Sequence, residues 1–323
     1  MSTPVIWVLR DNRPGTAAQA LGVADALGLP YIEQPLVYDG LAKLPNVLRG
    51  ASLIGVDADT KARMAPPWPD VVIAAGRRAA PVARWIKAHA GKRVVLAHIM
   101  HPGRRGAEEF DLIALPQHDC VVPGGDAPNV LRIIGAPHRI TAAKLSAAAG
   151  AWREAVSGLP RPYIALLIGG ATRQRPFPAD TAKDLAAKVG AMARSVGGSV
   201  LALTSRRTGA DAEAILAREL SEPRYLFQWG KGGDNPYLGF LGLADAIVVT
   251  GDSVSMCSEA CATPATVYIY APPGLAVPKH ERLHRDLIAL GYVRAFDGAY
   301  AQAAHPPLNA ATDVAAALAK LIA

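Results

Sequence analysis

Short runs of aliphatic and β-branched residues alternate with alanine-rich stretches of helical length along the 323-residue chain. Apolar residues 5–9 read as a strand, followed by a polar turn at 10–15 and a helix over 16–27. Thr16 with Gln19 three positions on suggests a capping box, and Gly28 a stop. Further strands are expected at 69–75, 93–98, 111–115 and 130–134, with a helix over 79–90, whereas 31–65 carries no clear period. The stretch 141–162 is alanine-rich, reads as helix and closes on Gly-Leu-Pro-Arg-Pro, which marks a domain boundary. The pattern then restarts. Strands are expected at 163–168, 199–204, 224–228, 246–250 and 266–270, and helices at 178–195, 211–220, 236–243, 281–290 and about 309–322. Strands separated by helices imply parallel sheets with right-handed crossovers. The expected fold class is therefore α/β, with two doubly wound Rossmann-like domains facing across a cleft. The first spans 1–150, the second 160–300, and 301–323 is a C-terminal helix packing back on the first.

Composition narrows the function. Apolar types make up 51% and charged types 19%, which excludes a disordered chain. The net charge of +7 is concentrated in 1–158, which carries +5 against +2 in 159–323. No long basic run exists, so a nucleic-acid stripe is not indicated. Anionic small molecules or an anionic membrane surface fit better. Arginines outnumber lysines 24 to 10. That ratio suits bidentate phosphate contact, although a GC-rich genome would produce it too. Cys120, Cys257 and Cys261 are too few for a disulfide framework. The last two lie four apart on one helix without further ligands at a suitable spacing, so they read as packing residues and no metal site is expected. The first nine residues lack the features of a signal peptide. Residues 260–278, the longest uncharged stretch, contain four prolines and would not form a spanning helix. A cytoplasmic protein is expected.

Ligands of open parallel sheets bind beyond the carboxyl ends of the strands. In the second half those ends hold two notable segments. After the strand at 163–168 come Gly169, Gly170, Thr172 and Arg173, a loop able to approach an anion closely, although Gly-Gly there is also a simple tight turn. After the strand at 246–250 come Asp252, Ser253, Val254 and Ser255, where a helix begins and its first amides face outward. Glu259 lies four residues past Ser255, about 6 Å along the helix axis, within reach of a ribose beyond a diphosphate. As a solvated helix residue it would have no such role. In the first half, several strand-end loops each contribute Arg or His. Candidates for a general base are His101, His118, Asp119 and Asp11. Each taken singly is more readily a loop hydrogen-bonder or a surface residue, so the cluster carries the argument. The basic stretch Lys279, His280, Arg282, His284 and Arg285 faces either the cleft or solvent, and Trp7 and Trp85 read as core.

The segment 244–264, with Ala244-Asp245, Ser253–Ser255, Glu259-Ala260 and Pro264, resembles the nucleotide-sugar domain of GT-B glycosyltransferases. That resemblance implies that Glu259 holds the ribose hydroxyls and Ser253–Ser255 the diphosphate. Gly169–Arg173 would face the diphosphate from the other side, and the loop at 229–233, with Gly230, would border the base. Across nearly the whole chain the segments VIWVLRDNRPG, HPG, FDLIALPQHD, GAPHR, IGGAT, GDNPY and VVTGDSVSMCSEA are similar to the plant mitochondrial-fission "elongated mitochondria" proteins and their proteobacterial relatives. The resemblance implies a transferase of GT-B type. It would use a nucleoside diphosphate sugar, of UDP type, as substrate rather than a cofactor, and would deliver the sugar to an unknown acceptor, lipid-linked in one version. The alternatives are a nucleoside-diphosphate-sugar epimerase of the same fold and an inactive scaffold tied to membrane or fission processes. The basic first half adds an expectation of peripheral association with the inner face of an anionic membrane.

Overall fold

The computed structural model describes residues 3–119 and 126–322; the expectation for Cys120 lies outside the described residues. The chain divides into two compact units, Met1–Arg139 with Asn309–Ala323, and Ile140–Leu308.

In the first unit the chain runs β1 (Ile6–Arg10), α1 (Pro14–Leu27), β2 (Ile32–Pro35), α2 (Asn46–Arg49), α3 (Ala58–Arg63), β3 (Val71–Ala75), α4 (Ala80–His89), β4 (Val95–Ile99), β5 (Leu112–Pro116) and β6 (Val130–Ile133). The six strands are parallel, in the order β2-β1-β3-β4-β5-β6. Side-chain alternation divides the core: Ile6 and Val8 face a cluster with α1, while Trp7 and Leu9 face one with α4. Burial on both faces explains the nearly unbroken apolar runs.

The second unit runs α5 (Ala142–Trp152), β7 (Tyr163–Leu167), α6 (Ala179–Ser195), β8 (Ser199–Leu203), α7 (Ala210–Glu219), β9 (Arg224–Phe227), α8 (Tyr237–Leu243), β10 (Ala246–Thr250), α9 (Val254–Ala260), β11 (Thr266–Tyr270), α10 (Pro278–Ala289) and β12 (Val293–Ala295). Its strands are also parallel, ordered β12-β11-β10-β7-β8-β9. The final helix α11 (Ala310–Ile322) joins the first unit, where Ala310, Ala311, Val314 and Leu318 share a core cluster with α1.

Three details differ from the sequence reading. The boundary falls at 139/140 because the alanine-rich α5 belongs to the second unit. There the ring of Trp152 lies over Gly239, and the backbone at Leu145 meets Gly242, leaving no room for a Cβ at either glycine. Helix α1 starts at Pro14 with Arg13 as an uncapped N-cap, so Thr16 sits inside its first turn and caps nothing. Proline fits there because its missing N–H would have had no intrahelical partner. The edge strands β2 and β12 were not anticipated, being short and largely exposed.

Candidate functional site

In the second sheet the chain starts at β7, builds outward through β8 and β9, then returns to add β10, β11 and β12 on the other side. The order reverses between β7 and β10, and their carboxyl ends open a crevice between diverging loops. The loops carrying Gly169–Arg173 and Asp252–Ser255 therefore start from neighbouring strands.

The inner part of this crevice is committed to structure. The Asp252 side chain is fully buried, and its Oδ2 lies 2.7 Å from Nη1 of Arg207, in the loop after β8. Arg207 also donates to the carbonyls of Gly170 (3.4 Å) and Ala171 (3.2 Å), and its own carbonyl accepts from the Ala171 N–H at 2.8 Å. A Cβ at Gly169 would collide with the Asp252 carboxylate; one at Gly170, where φ is +118°, would collide with the Arg207 carbonyl. The Gly169 N–H donates to Thr250 Oγ1 at 2.8 Å, and the Gly169 carbonyl accepts from Ser205 and Thr208. Gly169, through these bonds, and Asp252, through its ion pair with Arg207, thus tie three strand-end loops together, and Asp252 Oδ1 is buried with no hydrogen-bond partner among the described residues. Thr172 organises its own turn, its hydroxyl accepting from the Arg175 N–H at 3.1 Å.

The outer part is uncommitted. Ser253 is the N-cap of α9, its Oγ accepting from the Met256 N–H at 3.4 Å. The Val254 and Ser255 amides fall in the first turn, where a helix has no internal acceptor for them. The Ser255 hydroxyl, the Gly170 N–H and the exposed Arg173 guanidinium have no partner among the described residues. Glu259 closes this group. Its Oε2 accepts a hydrogen bond from the Tyr237 hydroxyl at the start of α8, its one hydrogen-bond partner among the described residues. Burial raises the Glu259 carboxyl above its ordinary range, and the Tyr237 hydrogen bond works against that rise. The carboxylate therefore stands in a half-buried position, held in orientation by a phenol rather than neutralised by a cation.

Beyond β9, the Trp229 indole is 48% exposed, while its N–H backbone group donates to Thr204 Oγ1 at 2.8 Å. Gly230 follows with φ +81° and open space around it. On the other side His284 of α10 lies against Gly251, where a Cβ would strike its ring. Burial lowers the His284 pKa to about 4, so it is a neutral wall and adds no charge. Burial also raises the thiols of Cys257 and Cys261, the latter to about 12, consistent with packing residues.

The first unit repeats the topology, with its switch point between β1 and β3. Here Asp11 Oδ1 accepts from Arg78 Nη2 at 2.6 Å and from the Arg13 N–H at 2.8 Å, with only 2% of its side chain exposed. Arg78 also lies 4.1 Å over the Tyr38 ring and reaches Asn12 Oδ1 at 2.6 Å. A carboxylate so enclosed suits loop closure better than proton abstraction. His101 follows β4, and His118 and Asp119 follow the adjacent β5, placing these three at neighbouring strand ends and about 10 Å or more from the β1 end. His118 is buried and Asp119 half-buried in the turn Gln117–Asp119. His101 Nδ1 accepts from the Gly103 N–H at 3.1 Å, and burial lowers its pKa. In its neutral form the hydrogen is then on Nε2, which favours donation over base catalysis.

Arg207 and Tyr237 were not singled out from sequence. A lone Asp after β10 and a double arginine after β8 were the available signals for the first. For Tyr237 only a polar ring at a helix start was visible, and nothing local linked it to Glu259.

This architecture, a Rossmann-like parallel sheet in each of two successive units, is that of the GT-B glycosyltransferases and the related UDP-GlcNAc 2-epimerases. The Methanocaldococcus jannaschii UDP-GlcNAc 2-epimerase, solved in complex with UDP-GlcNAc and UDP, matches with a TM-score of 0.55 at 13% identity over 98% of this chain and 99% of that one. The glycosyltransferase SnogD from Streptomyces nogalater matches with a TM-score of 0.52 at 16% identity over 99% of both chains. At these identities the likeness is one of fold.

The chain belongs to the mitochondrial fission ELM1 family, whose family model matches residues 14–322. The mitochondrial fission protein ELM1 of Arabidopsis thaliana is 31% identical over an alignment of 269 positions that covers 76% of this chain and 62% of the plant protein. The match thus spans about three fifths of that relative's length.

Proposed function

We propose that the second unit binds a nucleoside diphosphate sugar of UDP type, and that the protein transfers the sugar to an acceptor held by the first unit, on the cytoplasmic side. The observation that carries this reading is Glu259: a half-buried carboxylate, steered by Tyr237 and paired with no cation among the described residues, one turn beyond a cluster of uncommitted donors. Carboxylates accept from vicinal hydroxyls, which suits a ribose. The Val254 and Ser255 amides, the Ser255 hydroxyl, Arg173 and the Gly170 N–H are donors for the diphosphate. The exposed Trp229 offers a face to the base. Asp252, Arg207 and Gly169 set the loop positions and do not touch the ligand. The UDP ligands named for the M. jannaschii neighbour support the ligand class.

In transfer, the bond from the anomeric carbon to the diphosphate oxygen breaks and the acceptor oxygen takes its place. Donors fixed beforehand at the diphosphate stabilise the charge developing on that oxygen. Of the base candidates, Asp11 is enclosed by Arg78 and the Arg13 N–H and His101 is placed as a hydrogen-bond donor, while His118 and Asp119 stay candidates for taking the acceptor proton.

A second reading, nucleotide-sugar epimerase, draws support from the fold-wide match to the M. jannaschii enzyme. Incubation with UDP-sugars in deuterated water separates the two. Transfer predicts acceptor-dependent release of UDP with no deuterium on the sugar. Deuterium at a sugar carbon without added acceptor would select the epimerase, and tight binding without turnover would leave a scaffold.

A further inference from the structure

We propose that residues 37–54 of the first unit form a surface that docks on an anionic lipid bilayer. Its apolar centre is Leu41, Val47, Leu48 and Ile54, and its basic margin is Lys43 with Arg104 and Arg105. Among the described residues most of the large exposed hydrophobics fall in this one stretch, Leu48 at 69% and Val47 and Leu41 at 54% each. Scattered exposed leucines are ordinary, but a contiguous apolar group with a polar rim marks an interaction surface.

The stretch is not loosely folded. Arg77 donates through Nη1 to the Leu44 carbonyl at 2.7 Å and through Nη2 to the Ala42 carbonyl at 3.1 Å. Asn46 Nδ2 donates to the carbonyls of Arg77 and Pro102, both at 2.8 Å. Arg49, itself buried, donates to the Ile54 carbonyl at 2.9 Å, and the turn at Gly55 packs on the Leu41–Ala42 backbone too closely for a Cβ. Asn46 and Arg49 are turned inward onto neighbouring loops, while the aliphatic side chains of the segment stand exposed. A Cβ at Gly103 would lie 3.6 Å from the Asn46 Cβ, and Arg104 and Arg105 follow directly.

Two features favour lipid over a protein partner. The patch is aliphatic throughout, whereas protein-interface hot spots are enriched in tryptophan and tyrosine and poor in leucine and valine. Its margin carries more positive than negative charge: Lys43, Arg104 and Arg105 form no ion pair among the described residues, against the exposed Glu108 and the exposed Asp39 carboxylate, which accepts from the Leu41 N–H at 2.8 Å. Such cations are attracted to anionic headgroups at short range, while aliphatic tips enter the acyl boundary. Among the described residues no helix is long and apolar enough to cross a membrane. Asn46 and Pro102 place the patch beside the loop of His101, so on the reading proposed above it would bring a lipid-linked acceptor to that edge; the bilayer contact itself does not depend on that reading.

The test is co-sedimentation of the full chain with vesicles of phosphatidylcholine, with and without phosphatidylglycerol, at low and high salt. Wild type should sediment with the anionic vesicles at low salt. Val47→Asp/Leu48→Asp should lower the partition coefficient about tenfold or more, with an unchanged circular dichroism spectrum and melt. Lys43→Ala/Arg104→Ala/Arg105→Ala should lower it on the order of a hundredfold on anionic vesicles and leave neutral ones unaffected. Wild type staying in the supernatant, equal binding to both vesicle types, or wild-type sedimentation by the aspartate variant would each overturn the proposal. UDP titration of the same variants should match wild type, so failure here and failure of the nucleotide reading are separately visible.

Discussion

The two switch points share a topology and differ in what fills them. Both place a nearly fully buried aspartate beside an arginine from another strand-end loop: Asp11 with Arg78 at 2.6 Å, and Asp252 with Arg207 at 2.7 Å. In the first unit the pair and Tyr38 fill the crevice itself, and the Arg13 N–H is drawn in as well. In the second, Arg207 reaches in from β8, on the far side of β7, and straps Gly169–Ala171 from behind. The front of that loop and the first turn of α9 keep their donors. The same kind of ion pair thus fills one crevice and leaves uncommitted donors at the mouth of the other.

The largest expected effects come from breaking these pairs. Arg207→Ala and Arg78→Ala each strand a buried carboxylate, which costs about 3–5 kcal/mol, readable as a fall in urea midpoint. Only Arg207→Ala should also weaken nucleotide binding, because only that pair shapes a ligand loop. Equal effects of the two on UDP affinity would erase the contrast.

A pH series gives the next effect, and here the units should behave alike. His98 in the first and His284 in the second are both lowered by burial to about 4. The unfolded chain, with histidines near 6.5, takes the proton first as pH falls. Each histidine therefore contributes stability that is full above about pH 6.5 and is lost towards pH 4, with a slope of up to about 1.4 kcal/mol per pH unit. Denaturation at pH 7 and pH 5 should show the drop, and His98→Gln and His284→Gln should each remove a share of the slope. A slope unchanged in both variants would contradict the burial argument.

The smallest effect is at the rim. Trp229→Ala should cost UDP about 1 kcal/mol, the low end for base–aromatic stacking, and leave stability near wild type because the ring is half exposed. A loss confined to the sugar rather than shared by uridine nucleotides would place Trp229 elsewhere on the donor.

Most of the fold was legible because parallel strands buried on both faces leave unbroken apolar runs, as at Ala246–Thr250 and Thr266–Tyr270. The edge strands β2 and β12 lack that burial and left no such run. Residues 31–65 were opaque for a related reason: their order comes from Asn46, Arg49 and Arg77 binding the carbonyls of Arg77, Arg78 and Leu44, about thirty positions along the chain, which no local period records. At the site, the α9 cap and the position of Glu259 followed from local helix chemistry. The ion pair of Asp252 and the Tyr237–Glu259 bond could not, since each joins residues tens of positions apart and on different elements. An aspartate at a strand end looks the same in sequence whether it binds a ligand or a loop.

The central claim is that Glu259, with one oxygen held by Tyr237, reads a ribose beside the donors of α9. Calorimetric titration of UDP into wild type, Glu259→Gln and Asp11→Asn tests it most directly. The account predicts binding by wild type, a loss of about tenfold to a hundredfold in Glu259→Gln for one charged hydrogen bond of about 1.5–3 kcal/mol, and wild-type affinity in Asp11→Asn. Undetectable UDP binding by the wild-type chain, or equal affinity in Glu259→Gln, would contradict it.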